Sequence, residues 1–493
     1  MMFRFGMNYG EISTDSHLIF TKPKTTKMLH MKSRFVGLGL LLLAHLSWGQ
    51  NKTLHPEAYL KIVEKYHPVA RQAQIGIKKT DAQILQARAE FDPILKHYIT
   101  SKTLDGTSYY QYNSPELNIP TWYGIEVNSG IENLQGDRLD PSQTTGQTSY
   151  IGIQVPIAKN LLMDKRRAAL QQAKLMNQMA FAEQRVVLNQ LFSDAMEAYW
   201  HWLKCYQVLN VTRQNLDAAK RRIDFVKRSV ELGDRPAVDT LEANTQFMYL
   251  DNQFLAKSLD YENAILQLSA FLWQENNSPL TLHKDILPAE VWGDYTLFSN
   301  FDLNLQSILE KVDSFHPEIQ AYQFKIEGLN VEKRLKFQSL LPKIDLQYNH
   351  LMKDKATSVN TALFTNNYRF GIKFEMPLRL SLGRGEYQSA KLKIEEETIL
   401  LSQKKQQIQI KINSYFNQFQ TLKKQIQTQE KAVSSYTALT KAEESKFAQG
   451  ESSLFLINSR EIKALEASEK LLDLKAYLFK TVYALQASAG LLI

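Results

Sequence analysis

The sequence lacks several features that define common protein classes. Its 493 residues include one cysteine, Cys205, which excludes an intrachain disulfide. They include no HExxH, GxSxG, P-loop or CxxC motif, so the sequence offers no catalytic constellation. Beyond the first fifty residues, no apolar run is long enough to predict a transmembrane helix. We therefore predict that the protein is not an enzyme and binds no cofactor and no metal.

The positive charge of the chain gives little information about partners. The formal net charge is +8, but residues 1–49 hold six Lys/Arg and two Asp/Glu, a net of +4, so the remainder carries 8 − 4 = +4. No dense basic cluster stands out in the remainder. The sequence therefore predicts no nucleic-acid partner.

Residues 31–49 have the pattern of a secretory signal peptide. Lys32 and Arg34 precede an apolar run, and small residues precede Gln50. We expect translation to start at Met28 or Met31, which makes residues 1–30 a non-native extension. The mature chain is then exported.

Glycine and proline are missing from two long stretches. Neither occurs from Lys159 to Leu232, 74 positions, or from Ala237 to Ser278, 42 positions. Apolar or small residues recur in the first stretch at alternating spacings of three and four, as in a coiled coil. These positions are Leu188, Leu191, Ala195, Ala198, Trp202, Cys205, Leu209, Thr212, Leu216, Ala219, Ile223, Val226 and Val230. A helix of that length extends ~110 Å, so we predict helical hairpins longer than any compact core.

The chain repeats one plan twice. A His-Pro pair precedes a helical segment at His67 and again at His316, 249 residues later. The long helices and their glycine breaks match at an offset of 217, which pairs Gly233 with Gly450. The offset of 217 stays the same from the start of the long helices to their glycine breaks, and this predicts a tandem duplication. We predict repeats at 50–276 and 302–493, joined by a linker at 277–301.

Four segments alternate apolar and polar residues at the period of a strand: 124–134, 148–156, 343–352 and 367–376. Each has the length that a tilted strand needs to cross a bilayer. Aromatic residues lie near their ends, as at a membrane interface: Trp122, Tyr123, Tyr150, Tyr348 and Tyr368. Four strands cannot close a barrel alone, so several copies would have to pool them. A soluble sheet remains an alternative, and the insertion at 101–121 is a further strand or an external loop.

The order of elements, the duplication and the junctions VPIAKNLLMDKRRAALQQAK and MPLRLSLGRGEYQSAK resemble the TolC-type outer-membrane efflux family. The resemblance covers nearly all of residues 54–493. It implies a mixed, mostly α-helical fold in a homotrimer. Four strands from each chain would form a twelve-stranded β-barrel in outer-membrane lipid, above a periplasmic α-helical barrel. The trimer would be an export channel that receives substrates from a periplasmic adaptor protein and an inner-membrane pump.

The resemblance also assigns roles to the residues around the two glycine breaks. The breaks would be periplasmic tips that dock the adaptor, formed by Leu232, Gly233, Asp234, Arg235, Gln449, Gly450, Glu451 and Ser452. Candidate constriction residues follow the tips: Asp239, Leu456, Asn458 and Ser459. The acidic pair of the family falls here on Leu456 and Ser459, and its basic partner on Ser452, so we expect this channel to close differently.

Two interpretations stay open at this stage. We interpret the arginine pairs on the first long helix, Arg166-Arg167 and Arg221-Arg222, as solvated groups or inter-helical ion pairs. The alternative function for the whole chain is a periplasmic coiled-coil structural or adhesive protein without a pore.

Overall fold

The computed structural model describes residues 52–140, 144–291, 303–353 and 366–493. The predicted signal peptide, the predicted N-terminal extension and part of the predicted linker lie outside these residues. The α-helices are α1 (Pro56–Tyr66), α2 (Pro68–Ala89), α3 (Lys165–Glu231), α4 (Ala237–Ser269), α5 (Leu305–Phe315), α6 (Pro317–Phe337), α7 (Ser381–Ala448) and α8 (Leu454–Ser488). The strands are β1 (Lys52–Leu54), β2 (Ile94–Leu104), β3 (Thr107–Pro120), β4 (Glu126–Gln135), β5 (Gly146–Pro156), β6 (Ile286–Pro288), β7 (Lys343–Lys353) and β8 (Tyr368–Glu375).

The two longest helices dominate the fold. α3 has 67 residues and α7 has 68, which makes each ~100 Å long. α2 and α4 pack along one side of α3, whereas α6 and α8 pack between α3 and α7. Any level of this layer therefore holds four helices side by side, with α2 or α4 at one edge and α7 at the other. The predicted long hairpins are confirmed as α3–α4 and α7–α8.

The largest hydrophobic core surrounds the middle of α3. Tyr199, Trp200 and Trp202 are fully buried there, and the Tyr199 ring centroid lies 5.1 Å from that of Trp200 and 5.7 Å from that of Trp202. The Tyr199 hydroxyl donates to the Leu54 carbonyl at 2.7 Å, which joins α3 to the small parallel β1–β6 sheet. Cys205 is buried in the same core. It therefore packs as a small apolar residue, as its position on the seam predicts.

The coiled-coil seam predicted on α3 is confirmed as its buried side. Ala195, Trp202, Thr212 and Val226 have no accessible surface. The polar member of this set, Thr212, satisfies its hydroxyl by donating to the Val208 carbonyl at 2.9 Å. Small residues at the seam let neighbouring helices approach closely, and this explains how four helices form one tight layer.

Each His-Pro pair caps a helix. His67 precedes α2 and His316 precedes α6, and in both the imidazole Nδ1 accepts a backbone N–H two residues later, at 3.3 and 3.2 Å. Proline at the first helical position suits the helix start, because its missing N–H would be unpaired there. The His316 Nε2 donates to the Ser488 carbonyl at 3.1 Å, which ties the start of α6 to the end of α8. The neutral tautomer with its proton on Nε2 satisfies both bonds.

We expect His316 to make the protein less stable in mild acid. Burial lowers the pKa of His316, and Lys404 and Arg185 lower it further, against the raising effects of the Ser488 carbonyl and Glu318. The unfolded chain therefore binds this proton more tightly than the folded chain, so stability falls as pH drops below ~6.5, the ordinary pKa of histidine. Thermal melts at pH 7.5 and 5.5 measure the effect.

The control for this prediction is His316→Asn, because asparagine keeps an N-cap acceptor but does not titrate. From pH 7.5 to pH 5.5, the melting temperature of the variant should fall by less than that of the wild-type protein. Equal losses in the two proteins would contradict a role for His316.

The long strands form one antiparallel sheet in the order β2-β3-β4-β5-β7-β8. The prediction of four strands per chain is therefore wrong, because this sheet has six. The insertion at 101–121 holds the end of β2 and all of β3, so its interpretation as a further strand is confirmed. A count of twelve strands for three chains does not follow from this sheet.

Two features are absent from the described residues. None of their helices combines the length and apolar character needed to span a bilayer. The same residues contain no group of three or more His, Cys, Asp or Glu side chains placed to hold a metal ion.

Candidate functional site

Both tips end their long helix with the same backbone motif. At the first tip, Gly233 has φ +79°, and the amides of Gly233 and Asp234 donate to the carbonyls of Val230 and Ser229 at 3.0 and 2.9 Å. The same pair of bonds forms around Gly450, whose φ is also +79°. This is the Schellman arrangement, which satisfies the last carbonyls of a helix and requires a residue in the left-handed conformation. The two tips are therefore matched turns.

Replacing Gly233 or Gly450 with valine should strain its tip by ~1–2 kcal/mol, because a β-branched residue avoids positive φ. No heavy atom lies within 4 Å of a Cβ built at either glycine, so the cost comes from the backbone alone. Proteolysis at the tip should accelerate ~5–30-fold. Asparagine at the same positions is the matched control, since it tolerates this conformation. Equal proteolysis of the valine and asparagine variants would contradict the assignment.

Arg235 joins the first tip to the second. Its guanidinium lies 3.3 Å from the Asp239 carboxylate, donates to the Phe447 carbonyl at 2.9 Å and stacks 3.7 Å from the centre of the Phe447 ring. The Arg235 side chain is only 15% exposed. Asp239 and Arg235 therefore neutralise each other within one chain, and Arg235 offers little surface to a docking partner.

An ionic cluster, buried except for the Glu444 side chain, lies behind the tips and joins three helices. We call Arg222, Glu444, Asn458 and Glu461 the Arg222 cluster. Arg222 on α3 makes a two-pronged contact with Glu461 on α8, with one bond of 2.7 Å, and its side chain is 10% exposed against 6% for Glu461. Glu444 on α7 lies 3.6 Å away, and the Asn458 amide oxygen lies 3.5 Å away. The cluster ties the α3–α4 hairpin to the α7–α8 hairpin.

Charge and burial oppose each other at Arg222. Burial disfavours the charged guanidinium, but the hydrogen bonds and charge of Glu461, with the charge of Glu444, outweigh it and raise the pKa of Arg222 above its ordinary value. The sequence held a signal for this pair. Arg222 lies eleven residues before Gly233, and Glu461 lies eleven residues after Gly450. Equal distances from two matched turns place the residues at one level of adjacent helices.

The structure separates the predicted tip and constriction residues into two groups. Asn458 is buried in the Arg222 cluster and faces its own chain. The Ser452 hydroxyl donates to Glu443, so Ser452 is also engaged within the chain. Exposed members remain predicted docking or constriction residues: Leu232, Gly233, Asp234, Gln449, Gly450, Glu451, Leu456 and Ser459. The outer surface of the tips is therefore made by these residues, together with Phe455, which is 69% exposed.

The six-stranded sheet has one apolar face and one polar face. The strand register places the following apolar side chains on one face: Leu95, Ile99, Leu117, Ile119, Val127, Ile131, Ile151, Ile153, Val155, Ile344, Leu346, Tyr348, Phe370, Ile372 and Phe374. Many of them are exposed in the single chain, Phe370 at 52% and Ile372 at 61%. The opposite face is mostly polar or charged. An exposed apolar face of this size needs a covering, such as lipid or another protein.

The polar face is concave. Arg369 on β8 contacts Glu132 on β4 at 3.0 Å, although β5 and β7 lie between these strands. Side chains from strands that are not neighbours can meet only where the sheet curves towards them. The apolar face is therefore the outer, convex one.

Four of the five predicted interface aromatics form two exposed pairs, and the fifth, Tyr150, is buried. Trp122 and Tyr123 lie in the β3–β4 turn, and Trp122 stacks at 4.1 Å on Phe91, just after α2. Tyr348 and Tyr368 stack at 6.0 Å on β7 and β8. Both pairs are exposed, so they remain candidates for a membrane interface.

Tyr150 is the exception to the aromatic prediction. It lies on the polar face, is 4% exposed, and its hydroxyl donates to Glu116 at 2.8 Å. Alternation along β5 explains the difference, because Ile151 faces the apolar side and its neighbour must face the other. The ring passes over Gly130, where any Cβ would lie 2.8 Å from it.

Known proteins resemble this chain in sequence and in fold. A family model described as "Outer membrane efflux protein" matches residues 64–272 and 309–491. No curated protein sequence matches significantly. The fold is similar to the CmeC outer membrane channel of Campylobacter jejuni, at 13% identity and a TM-score of 0.62, covering 96% of this chain and 93% of that chain. It is also similar to the outer membrane protein VceC of Vibrio cholerae, at 14% identity, a TM-score of 0.60 and coverages of 88% and 96%. The open state of the Neisseria gonorrhoeae MtrE outer membrane channel matches at 11% identity, a TM-score of 0.59 and coverages of 90% and 93%.

Proposed function

We propose the function of this chain from one premise: it belongs to the outer membrane efflux protein family. As a member, it is an outer-membrane efflux channel protein, a transport component rather than an enzyme. We propose further that three copies pool their strands into a transmembrane β-barrel and their helices into a periplasmic tube. The tube receives substrates from a periplasmic adaptor and an inner-membrane pump and releases them outside the cell.

The two-faced sheet is the observation that carries this proposal. Its convex face offers lipid the aliphatic and aromatic side chains that a bilayer requires, and its concave face offers water polar groups. The edge strands β2 and β8 each have one unpaired side, which is costly in hydrocarbon unless another strand covers it. Neighbouring copies supply that strand.

The helical layer supports the same assembly. On α4, the edge helix near the tips, exposed apolar side chains recur at helical spacing: Val238, Leu241, Met248, Leu255, Leu259 and Leu266. The other edge helix, α7, exposes Leu392, Ile399 and Ile410. Apolar stripes at both edges of one layer fit a ring in which α4 of one copy packs against α7 of the next.

Membrane fractionation and electrophysiology test the channel. The mature protein should fractionate with outer membranes as a heat-modifiable trimer and conduct ions in planar lipid bilayers. A periplasmic protein that does not conduct would overturn the proposal and favour the coiled-coil structural or adhesive alternative.

The exposed tips are the surface that we propose for adaptor docking. Leu232 is 77% exposed at the first tip, and Phe455 is 69% exposed at the second. A photo-crosslinking residue at Leu232 should capture a periplasmic adaptor in intact cells, whereas one at Ile99 on the convex face of the sheet should not. Capture from Ile99 alone would place the docking surface elsewhere.

The predicted processing and repeats belong to the same proposal. Cleavage before Gln50 removes the signal peptide at 31–49, and the repeats at 50–276 and 302–493 supply one hairpin each, with 277–301 between them. N-terminal sequencing of the outer-membrane protein tests the cleavage. A mature chain that retains residues 1–30 would contradict it.

A further inference from the structure

We propose that each chain contributes six strands to the barrel, so that three chains form an eighteen-stranded outlet as wide as the helical tube beneath it. The inference rests on the proposed trimeric channel and defines the size of cargo that the outlet admits. Under it, the outlet does not sort cargo by size, and any cargo that passes the helical tube also passes the barrel.

The extra strands have a clear origin in the chain. The offset between the two copies is 249 residues before the strands and 217 after them, so the first copy holds 249 − 217 = 32 additional residues. The hairpin of β3 and β4, Thr107–Gln135, accounts for nearly all of this difference. Among the described residues of the second copy, β8 is the next strand after β7, whereas the first copy reaches β5 only after β3 and β4.

The inserted hairpin is part of the sheet. β3 pairs with β2 on one side and β4 on the other, and its Leu117 and Ile119 continue the convex apolar face. On the concave face, the hydrogen bond from Tyr150 to Glu116 crosses β4 at Gly130 and joins β3 to β5. Separating the β2–β3 hairpin from the rest of the sheet would break this bond and the β3–β4 ladder.

The outermost strand is also fit to span a bilayer. β2 has eleven residues, the length of a transmembrane strand. Its Leu95 lies opposite Leu117 on the apolar face. Neighbouring strands in the sheet run in opposite directions, so with six strands the two edge strands, β2 and β8, are antiparallel to each other. Copies of this sheet can therefore join edge to edge in an all-antiparallel ring, as membrane barrels require.

The widths of the two layers favour six strands over four. Strands ~4.8 Å apart and tilted by ~40° each occupy ~6 Å of circumference. Six strands then cover ~38 Å and four cover ~25 Å. Four helices at spacings of ~9–10 Å cover ~36–40 Å. Six strands therefore match the four helices at each level of the layer, whereas four strands would narrow the passage by about a third.

Engineered disulfides test which strand meets β8 of the next copy. In a Cys205→Ser background, Ile99→Cys on β2 is combined in turn with Phe370→Cys, Ile372→Cys or Phe374→Cys on β8. The matched control carries Ile131→Cys on β4 with the same three partners. All these side chains lie on the convex face. Outer membranes are oxidised and the chains separated on denaturing gels without reductant.

The six-strand outlet predicts covalent dimers and trimers from at least one Ile99 combination and none from the Ile131 combinations. Crosslinking from Ile131 but not Ile99 would overturn the inference, because β4 would then close the barrel and leave β2 and β3 outside. Failure of all six pairs in a protein that still runs as a trimer would also overturn it. Absence of the trimer itself would instead reject the proposed channel.

Discussion

Replacing Arg222 with methionine is expected to loosen the two hairpins from each other near the tips. The substitution leaves the carboxylate of Glu461 buried with no cation, and breaking a buried pair in this way costs ~3–5 kcal/mol. Arg222 on α3 contacts both α7 and α8, so the substitution weakens the association of the α3–α4 hairpin with the α7–α8 hairpin. We expect the tips to open more often, with higher ion conductance in planar bilayers and faster proteolysis around Gly233 and Gly450.

The neighbouring Arg221 provides the matched control, since it is exposed and makes no contact in the Arg222 cluster. Arg221→Met should leave conductance and proteolysis near wild-type values. The double variant Arg222→Met with Glu461→Leu should recover much of the loss, because an apolar pair of similar size replaces a buried ion pair at little cost. Unchanged conductance in Arg222→Met, or no recovery in the double variant, would contradict the role of the cluster.

Replacing Leu346 with arginine is expected to block assembly in the outer membrane. Leu346 on β7 lies on the convex apolar face between Val155 and Ile372. An arginine facing lipid costs up to ~2–4 kcal/mol, the most at the bilayer midplane, and a trimer bears that cost three times. We expect the amount of heat-modifiable trimer in outer membranes to fall at least tenfold.

The adjacent residue supplies the control for this second prediction. Gln347 lies on the concave polar face, so Gln347→Arg adds the same charge to water and should assemble normally. If both variants assemble equally well, the convex face does not meet lipid. If only Gln347→Arg fails, the two faces of the sheet have been assigned in reverse.

The long hairpins and their tips were predictable because the local sequence indicates them. An unbroken heptad pattern over many turns has no stable alternative to a long helix, and the glycines at 233 and 450 stand where the pattern stops. Burial of Ala195, Trp202 and Val226 follows from the same periodicity. These features depend on residues that are close in the sequence, so the sequence alone is enough to predict them.

The sheet was harder to predict because strand pairing depends on distant segments. The alternation in β2 is weak, since His97 and Ser101 fall on the apolar face and Ile94 and Tyr98 on the polar face. β3 contains Pro115. Only the register with β4 shows that both belong to the sheet. The pairing of Arg222 with Glu461 also joins distant segments, 239 positions apart in the chain, and their equal distances from the two tips indicate only that they lie at one level.

The lengths of α3 and α7 carry a consequence for how such a protein can vary. They have 67 and 68 residues although the strands that lead into them differ by a whole hairpin. The additional hairpin lies in the sheet, and the span from sheet to tip is nearly the same in both halves. The number of strands and the length of the long helices can therefore vary independently. In the proposed channel, the outlet in the outer membrane can change its width while the reach of the helices towards the inner membrane stays constant.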